Sequence, residues 1–105
     1  MIFMQSTIEV RPEEAPAFNE VMSEIVAYQQ KEQGWHLASA FVQFTGTLST
    51  YVDVWELKDA NHYQHGLFAL RSHPDIARFR SVLSRAVIRE TVVLAAPASY
   101  HQNKA

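Results

Sequence analysis

Cysteine is absent from this chain of 105 residues, and glycine occurs only three times. The lack of cysteine excludes disulfides, thiolate nucleophiles and cysteine-based metal or iron–sulfur sites. The glycines, Gly34, Gly46 and Gly66, are too scattered to form a phosphate-binding loop or a dinucleotide-binding fingerprint. There is also no Gly-x-Ser-x-Gly segment, which excludes the nucleophile elbow of α/β-hydrolases.

An excess of basic residues is missing as well, since the formal net charge is -2 at pH 7. Nucleic acids and anionic membranes usually bind basic surfaces, so we expect neither as a partner. No apolar run approaches the roughly 18 residues that span a bilayer, and the first residues do not have the pattern of a signal peptide. Together with the absence of cysteine, these features predict a cytoplasmic protein.

Hydrophobic residues make up 48% of the chain, which indicates a globular protein rather than a disordered one. At this length we expect a single domain over residues 1–98, followed by a polar tail at residues 99–105. Because so small a domain buries only a modest share of its surface, association with another chain is a natural source of extra stability.

Four segments have the alternation or the β-branched composition of strands, namely residues 2–10, 35–44, 50–57 and 87–94. A short turn at residues 45–49 predicts an antiparallel hairpin between the second and the third. Two helical regions separate the other strands. The order βαββαβ is the ferredoxin-like pattern, an α+β fold with two helices on one face of a four-stranded antiparallel sheet.

The ends of the helices have recognisable signals. The first helix should end near Gln33, where Gly34 can take the left-handed conformation of a C-cap. Asp59 is a good N-cap for the second helical region. The dipeptide His73-Pro74 interrupts that region, and Ser72 can cap the segment that follows.

The third strand is apolar on both of its faces. Tyr51, Trp55 and Leu57 lie on one face, and Val52 and Val54 lie on the other. The second strand is predicted to have apolar residues on both faces too: Trp35, Leu37 and Phe41 on one, and Ala38, Ala40, Val42 and Phe44 on the other. A sheet that is apolar on both faces needs two covers. We expect the helices to cover one face and a second copy of the chain to cover the other, in a homodimer joined through the sheet faces.

Several local phrases together resemble the NIPSNAP-type branch of the dimeric α/β-barrel superfamily. They are Val10-Arg11-Pro12 at a strand exit, the hairpin at residues 44–48, the tryptophan strand at residues 54–57 with the following Asp59-Ala60 and His73-Pro74, and residues 92–94 with Pro97 at the end. The resemblance spans nearly the whole chain. It implies a homodimeric α/β barrel with a pocket between the sheet and the helices.

The chain departs from that family pattern at polar positions. Ser6 and Ile8 stand where the family often has arginine and tyrosine, Glu13 replaces a glycine, and Leu57 replaces a tyrosine. These changes leave the predicted fold intact, but they weaken any assignment of the polar site residues of the family to this chain. Related branches include cofactor-independent monooxygenases of aromatic polyketides and small haem-degrading enzymes.

Asp53 is the most unusual residue of the third strand. A carboxylate within an apolar strand costs free energy unless it is paired or reaches water. Either it lines a wet pocket as an acid or base with a raised pKa, or it pairs with an arginine across the dimer. Arg89, in the last strand, is the natural candidate for that arginine, and the sequence leaves both interpretations open.

Two histidines lie near the start of the second helical region. His62 and His65 are three residues apart and follow Asp59 by a similar spacing, so the three share one flank of a helix. A mixed set of three ligands without a fourth is a weak metal signal, and we expect no metal and no cofactor. A solvated helix flank is the commoner arrangement. If the geometry of the family holds, however, this end of the helix lies at the pocket mouth, which makes His65 the preferred pocket histidine.

The sequence therefore predicts a pocket that binds a small apolar or aromatic ligand, with ligand-binding residues Met4, Ser6, Ile8, Trp55, His62 and Phe79. The first hypothesis is a cofactor-independent, monooxygenase-like enzyme. In that mechanism His65 or Asp53 abstracts a proton from the substrate, Trp55 stacks on its ring and Ser6 orients a polar group.

Two alternatives remain open at this point. The first is a non-catalytic ligand-binding or interaction module that uses the same cavity only to bind. The second is a haem-binding or haem-degrading protein, because the resemblance implies a histidine ligand on the second helix and His73 falls near that place.

Overall fold

The computed structural model describes residues 1–101, so the end of the predicted polar tail, residues 102–105, lies outside the described residues. The elements in chain order are β1 (Ile2–Val10), α1 (Ala15–Gln33), β2 (His36–Val42), β3 (Thr50–Leu57), α2 (Ala60–Arg71), α3 (Ile76–Ala86) and β4 (Val87–Ala95). A short 3-10 turn, Pro12–Glu14, leads from β1 into α1. Among residues 1–101, none of the helices combines the length and the apolar composition that crossing a bilayer requires.

The four strands form one antiparallel sheet in the order β2-β3-β1-β4. This is the ferredoxin-like arrangement, so the predicted fold is confirmed. The second helical region is divided into α2 and α3 at the predicted His73-Pro74 break. The second strand is shorter than predicted at both ends, because Trp35 precedes it and the chain leaves the sheet after Val42.

The helix ends follow local chemistry at most positions. Gly34 ends α1 with φ 68°, a conformation that glycine adopts without steric cost. The Asp59 carboxylate accepts a hydrogen bond from the His62 backbone N–H at 2.9 Å, which confirms the predicted N-cap. The predicted role of Ser72 is wrong. Ser72 directly follows α2, and Asp75 is the residue that precedes α3.

The register between strands decides which side chains face the helices. Met4 lies opposite Trp55, and Ser6 lies opposite Asp53, so these four side chains share one face of the sheet. All four are buried. The sequence alone did not show which face of the third strand the helices cover. The register shows that Trp55 and Asp53 point toward the helices, away from the uncovered face.

A β-bulge in β2 changes the predicted faces of that strand. The register with β3 shifts between Leu37 and Ser39, so Ala38 is an extra residue. One extra residue exchanges the two faces for the remainder of the strand. Leu37 therefore shares the face of its partner Trp55, while Phe41 pairs with Val52 on the uncovered face and is 51% exposed. The prediction that Leu37 and Phe41 share a face was wrong for this reason.

The apolar core is divided into three clusters of buried residues rather than one continuous block. One cluster joins Trp35 to Trp55 at one end of the sheet, a second lies around Phe18 and Ile8, and a third joins α1 to α3 through Phe79. A small domain usually has one contiguous core. Met22 and Leu83 pack against both the second and the third cluster.

A close contact between Trp35 and Gly66 holds α2 in place. The indole of Trp35 lies against the backbone of Gly66, and a β-carbon built on Gly66 would overlap that ring. The same indole donates a hydrogen bond from Nε1 to the His62 carbonyl at 3.2 Å. Gly66 therefore serves here as the residue without a side chain, which lets the helix backbone approach the ring.

We expect Gly66→Ala to destabilise the protein even though alanine is the better helix former. The methyl group would force the helix and the Trp35 ring apart, and overpacking of this kind costs about 1–3 kcal/mol or more, against a helix gain of about 1 kcal/mol. Urea unfolding measures the difference. Gln64→Ala, an exposed position of the same helix, is the control and should change stability by less than about 0.5 kcal/mol. A Gly66→Ala protein as stable as the parent would contradict the contact.

Candidate functional site

A cavity of about 480 Å³ lies between the sheet and the helix layer. Its size is within the range of about 300–1,000 Å³ that is typical of small-molecule sites. Four of the predicted ligand-binding residues line it, namely Met4, Ser6, Ile8 and Trp55. Helices α1, α2 and α3 contribute mostly apolar side chains from the opposite side. The other two predicted ligand-binding residues, His62 and Phe79, are not among its lining residues.

Asp53 is the central polar group of this cavity. Its side chain points from β3 toward the helices and is 8% exposed. No hydrogen bond to its carboxylate is present among residues 1–101. Burial raises the pKa of Asp53, and the nearby carboxylate of Glu90 raises it further. A carboxyl group in this environment holds a proton more readily than one in water.

Glu90 supplies a second carboxylate from β4. It lines the same cavity and accepts a hydrogen bond from the Ser6 hydroxyl at 3.1 Å. Ser6 and Asp53 are directly opposite on neighbouring strands, so the three polar groups form one patch in an otherwise apolar wall. We call Ser6, Asp53 and Glu90 the acidic patch. Ser6 and Asp53 were predicted from the sequence, but Glu90 was not. The available signal was that Arg89 and Glu90 are consecutive in β4, so one of these two charged side chains must face the helices.

Arg89 does not accompany Asp53 within the chain. It lies opposite Glu9 on the uncovered face, and its Nε donates a hydrogen bond to the Glu9 carboxylate at 2.7 Å. The predicted pairing with Asp53 would place Arg89 on the other face of the sheet. Of the two interpretations of Asp53 that the sequence left open, the geometry therefore favours the pocket.

A shallower groove of about 400 Å³ between α1 and β2 reaches the same carboxyl group from outside. Asp53, Phe18 and Met22 line both the groove and the cavity. Asp53 therefore lies where the two spaces meet, and its proton can exchange with solvent along the groove.

The histidines lie elsewhere, and none among the described residues lines the cavity. His65 is exposed on α2, so the structure does not bring the preferred pocket histidine to the acidic patch. His62 lies within 2.6 Å of the Gln33 carbonyl through Nε2, and its Nδ1 accepts a hydrogen bond from the Lys58 backbone N–H at 3.0 Å. These contacts join the start of α2 to the end of α1, which is a structural role.

Two further candidates are also outside the cavity lining. Phe79 is fully buried in the cluster that joins α1 and α3. His73 packs edge-on against Tyr28, and its Nδ1 accepts a hydrogen bond from the Asp75 backbone N–H at 2.9 Å. The geometry of His73 is that of a turn residue, and because no histidine among residues 1–101 lines the cavity, the geometry does not support the haem hypothesis.

Gln29 is a cavity residue that sequence analysis missed. It lies on α1, is 1% exposed and lines the cavity opposite the sheet. The available signal was its position: Gln29 follows Ile25 by four residues, so a polar side chain occupies the apolar stripe of the helix.

The raised pKa of Asp53 gives a prediction for stability. The native state holds this proton more tightly than the unfolded chain, so its contribution is complete below the ordinary pKa of 3.8 and is lost as pH rises through the raised value. Asparagine cannot ionise. We therefore expect Asp53→Asn to unfold at a higher urea concentration than the parent at pH 7, with the difference shrinking toward pH 4. Glu13→Gln, an exposed position, is the control, and a difference independent of pH would contradict the assignment.

No family model and no curated protein matches this chain. Solved structures do match. The chain is similar to an uncharacterised NIPSNAP domain protein from Burkholderia xenovorans, with 19% identity, a TM-score of 0.77, and coverage of 98% of this chain and 100% of that one. It is also similar to a NIPSNAP family protein from Agrobacterium tumefaciens, with 18% identity, a TM-score of 0.81, and coverage of 95% and 88%.

A third similar structure is described as an antibiotic biosynthesis monooxygenase, with 17% identity, a TM-score of 0.71, and coverage of 93% of this chain and 99% of that one. At such identities the likeness concerns the backbone and assigns no activity to this chain. The resemblance found in the sequence is thereby confirmed at the level of the fold: this chain has the ferredoxin-like fold of NIPSNAP domain and monooxygenase structures.

Proposed function

We propose that this protein binds a small apolar or aromatic molecule in the cavity between its sheet and helices, and that Asp53 accepts a proton from a hydroxyl group of that molecule. The observation that carries the proposal is the Asp53 carboxyl group, buried in an apolar cavity without a hydrogen-bond partner among residues 1–101. A buried carboxylate is costly unless something donates to it. A hydroxyl group on a bound ligand is such a donor.

The apolar walls support an aromatic ligand. Both tryptophans of the chain, Trp35 and Trp55, line the cavity. Their rings pack edge to face, with the ring centroids 5.4 Å apart. Large aromatic side chains provide much of the contact energy in ligand sites. The acidic patch provides the polar end, so the cavity suits a molecule with an apolar ring and a hydroxyl group.

The chemistry that follows is proton abstraction in a site with mostly apolar walls. A general base works best when its pKa is close to the working pH, and burial shifts Asp53 in that direction. Asp53 takes the hydroxyl proton and leaves a phenolate whose ring can react with dioxygen. One oxygen atom enters the ring in place of hydrogen to give a quinone, and the other leaves as water, so dioxygen is the four-electron oxidant. No cofactor is needed for this balance.

Ligand binding is testable through the fluorescence of the two tryptophans. We expect 1-naphthol to quench it in a saturable way, and naphthalene, which lacks the hydroxyl group, to bind about tenfold more weakly because it offers Asp53 no donor. Asp53→Leu should remove this preference. Absence of saturable quenching by 1-naphthol would contradict the binding site.

Catalysis is tested by oxygen uptake with a panel of hydroxylated aromatic compounds. We expect uptake with at least one member, and a reduction of about 10²–10⁴-fold in Asp53→Asn, the usual contribution of a general base. His65→Ala is the matched control and should retain full uptake, because His65 lies outside the cavity. Binding without any uptake would favour the non-catalytic module, and uptake unchanged in Asp53→Asn would eliminate Asp53 as the base.

We also propose that two copies associate through the uncovered face of the sheet. Phe41 and Val93 project from this face and are 51% and 50% exposed. Val54 lies between them on β3 and is half-buried. An apolar surface of this kind on a small domain usually marks an interface.

Sedimentation at micromolar concentration tests the assembly. We expect a dimer for the parent protein and a monomer for Val93→Lys, since a buried, unpaired charge opposes association. Phe68→Lys is the control, because Phe68 is 66% exposed on α2 in the helix layer, and this variant should remain a dimer. A monomeric parent would contradict the proposed interface.

A further inference from the structure

The cavity lining contains two acidic side chains and, among residues 1–101, no basic one. Asp53 extends from β3 and Glu90 from β4, whereas no lysine, arginine or histidine of the described chain belongs to the lining. The arginines that form ion pairs, Arg78, Arg85 and Arg89, contact other carboxylates outside the cavity. The cavity therefore carries negative charge that no described side chain balances.

Asp53 is the acid that most needs a partner. It is 8% exposed, and no residue among 1–101 donates a hydrogen bond to its carboxylate or pairs with it. Its oxygens still have accessible area, because the unpaired oxygens that are fully enclosed are Gln29 Oε1 and Thr50 Oγ1. A carboxylate in a mostly apolar cavity costs free energy until a donor or a cation reaches it. This unpaired group points to a bound ligand independently of the number of acidic residues.

Glu90 reaches toward Asp53 across the strand that lies between them. Strand β1 separates β3 from β4, so the backbones that carry the two acids are about 10 Å apart. The Ser6 hydroxyl, directly opposite Asp53, donates to Glu90 Oε2 at 3.1 Å. The Glu90 carboxylate is close enough to raise the pKa of Asp53. Glu90 is exposed, and its Oε1 has no partner among the described residues. The acidic patch thus has a buried acid and an acid that meets water.

The chemistry of the acidic patch suits an organic cation better than a metal ion. Two carboxylates and one hydroxyl group provide fewer ligands than the about 6–8 oxygens that Ca²⁺ takes. No group of three side chains that could hold a metal occurs among residues 1–101. An ammonium group needs no such shell, because it donates up to about three hydrogen bonds. It also belongs to an organic molecule, whose apolar part fits the apolar walls of the cavity.

We propose that the ligand is a hydroxyarene with an ammonium group on a short arm beside the hydroxyl, and that the ammonium group donates to Glu90 while the hydroxyl donates to Asp53. This inference rests on the proposed function and narrows its ligand to an arylalkylamine. Both polar groups leave one edge of the ring because both acids lie at the polar end of the cavity. The ammonium charge offsets the repulsion between the two carboxylates, so it favours the ionised Asp53 that proton transfer needs. Glu90 is then a specificity-determining residue.

The test compares 1-(aminomethyl)-2-naphthol with 1-(hydroxymethyl)-2-naphthol by tryptophan quenching at neutral pH. The two compounds share the ring, the phenolic hydroxyl group and the length of the arm, and they differ in charge. In the parent protein we expect the amine to bind about tenfold more tightly. This is the lower end of the gain from a hydrogen bond to a charged group, because Glu90 is exposed. Raising NaCl from about 20 mM to about 500 mM should reduce the preference, since salt screens an exposed charge pair.

Variants of Glu90 test which group recognises the charge. Glu90→Gln keeps the shape of the side chain and removes its charge, so the ratio of the two affinities should fall below about threefold. The ratio within one variant is the readout, so a change that weakens both compounds alike does not affect it. Glu90→Ala provides the same comparison if the amide variant fails to fold. Glu32→Gln removes the same charge from an exposed position of α1 and should retain the full preference.

Several outcomes overturn the inference. Equal binding of the two compounds to the parent protein removes it and leaves the proposed function intact, and so does failure of both to bind a protein that binds 1-naphthol. A preference that persists in both Glu90 variants, that Glu32→Gln also abolishes, or that salt leaves unchanged removes it as well, because Glu90 is then not the group that recognises the charge. Failure of 1-naphthol to bind overturns the proposed function together with this inference.

Discussion

The contact of the Trp35 indole with the backbone of Gly66 is the constraint on which the rest of the helix layer depends. It places α2 against the end of the sheet that carries Trp55, and the carbonyl of the same glycine receives the amide of Gln29 from α1. One residue without a side chain thus joins two helices and the sheet. Trp35 and Trp55 also belong to the cavity wall, so this contact fixes the apolar end of the cavity, while Ser6, Asp53 and Glu90 form its polar end.

The chemistry of the cavity is determined by the faces of the strands. Because side chains alternate along a strand, Asp53 and Trp55 must face the same side, and the register with β1 adds Ser6 to that side. The central strands of a sheet are among the most rigid parts of a domain, so groups placed on them keep their geometry. A carboxyl group held in this way, largely buried and next to Glu90, stays at the junction of the cavity and the groove. Its raised pKa is the result of that fixed position rather than of a single strong partner.

Sequence patterns predicted the elements of this fold well, because the signals at Gly34 and Asp59 are local and act within one turn of the chain. They failed where the outcome depends on contacts between distant segments. The bulge at Ala38 exchanges the faces of β2, and no periodicity within the strand reports it. The same limit applies to the site. Asp53 was identified as an anomaly in an apolar strand, whereas His65 was selected on the position of its helix, and its side chain is exposed in the structure.

Many unrelated activities share this kind of backbone, so its function depends on the polar atoms of the cavity rather than on the fold. Asp53 is largely buried in the cavity, and no residue among 1–101 donates a hydrogen bond to its carboxylate. A buried polar atom without a partner costs about 1–3 kcal/mol, a large share of the stability of a small domain. A ligand that donates to this carboxylate removes the penalty, and because it binds only the folded state, its binding free energy is added to the stability of the fold. The unpaired carboxylate therefore makes the folded state and the occupied cavity thermodynamically dependent on each other.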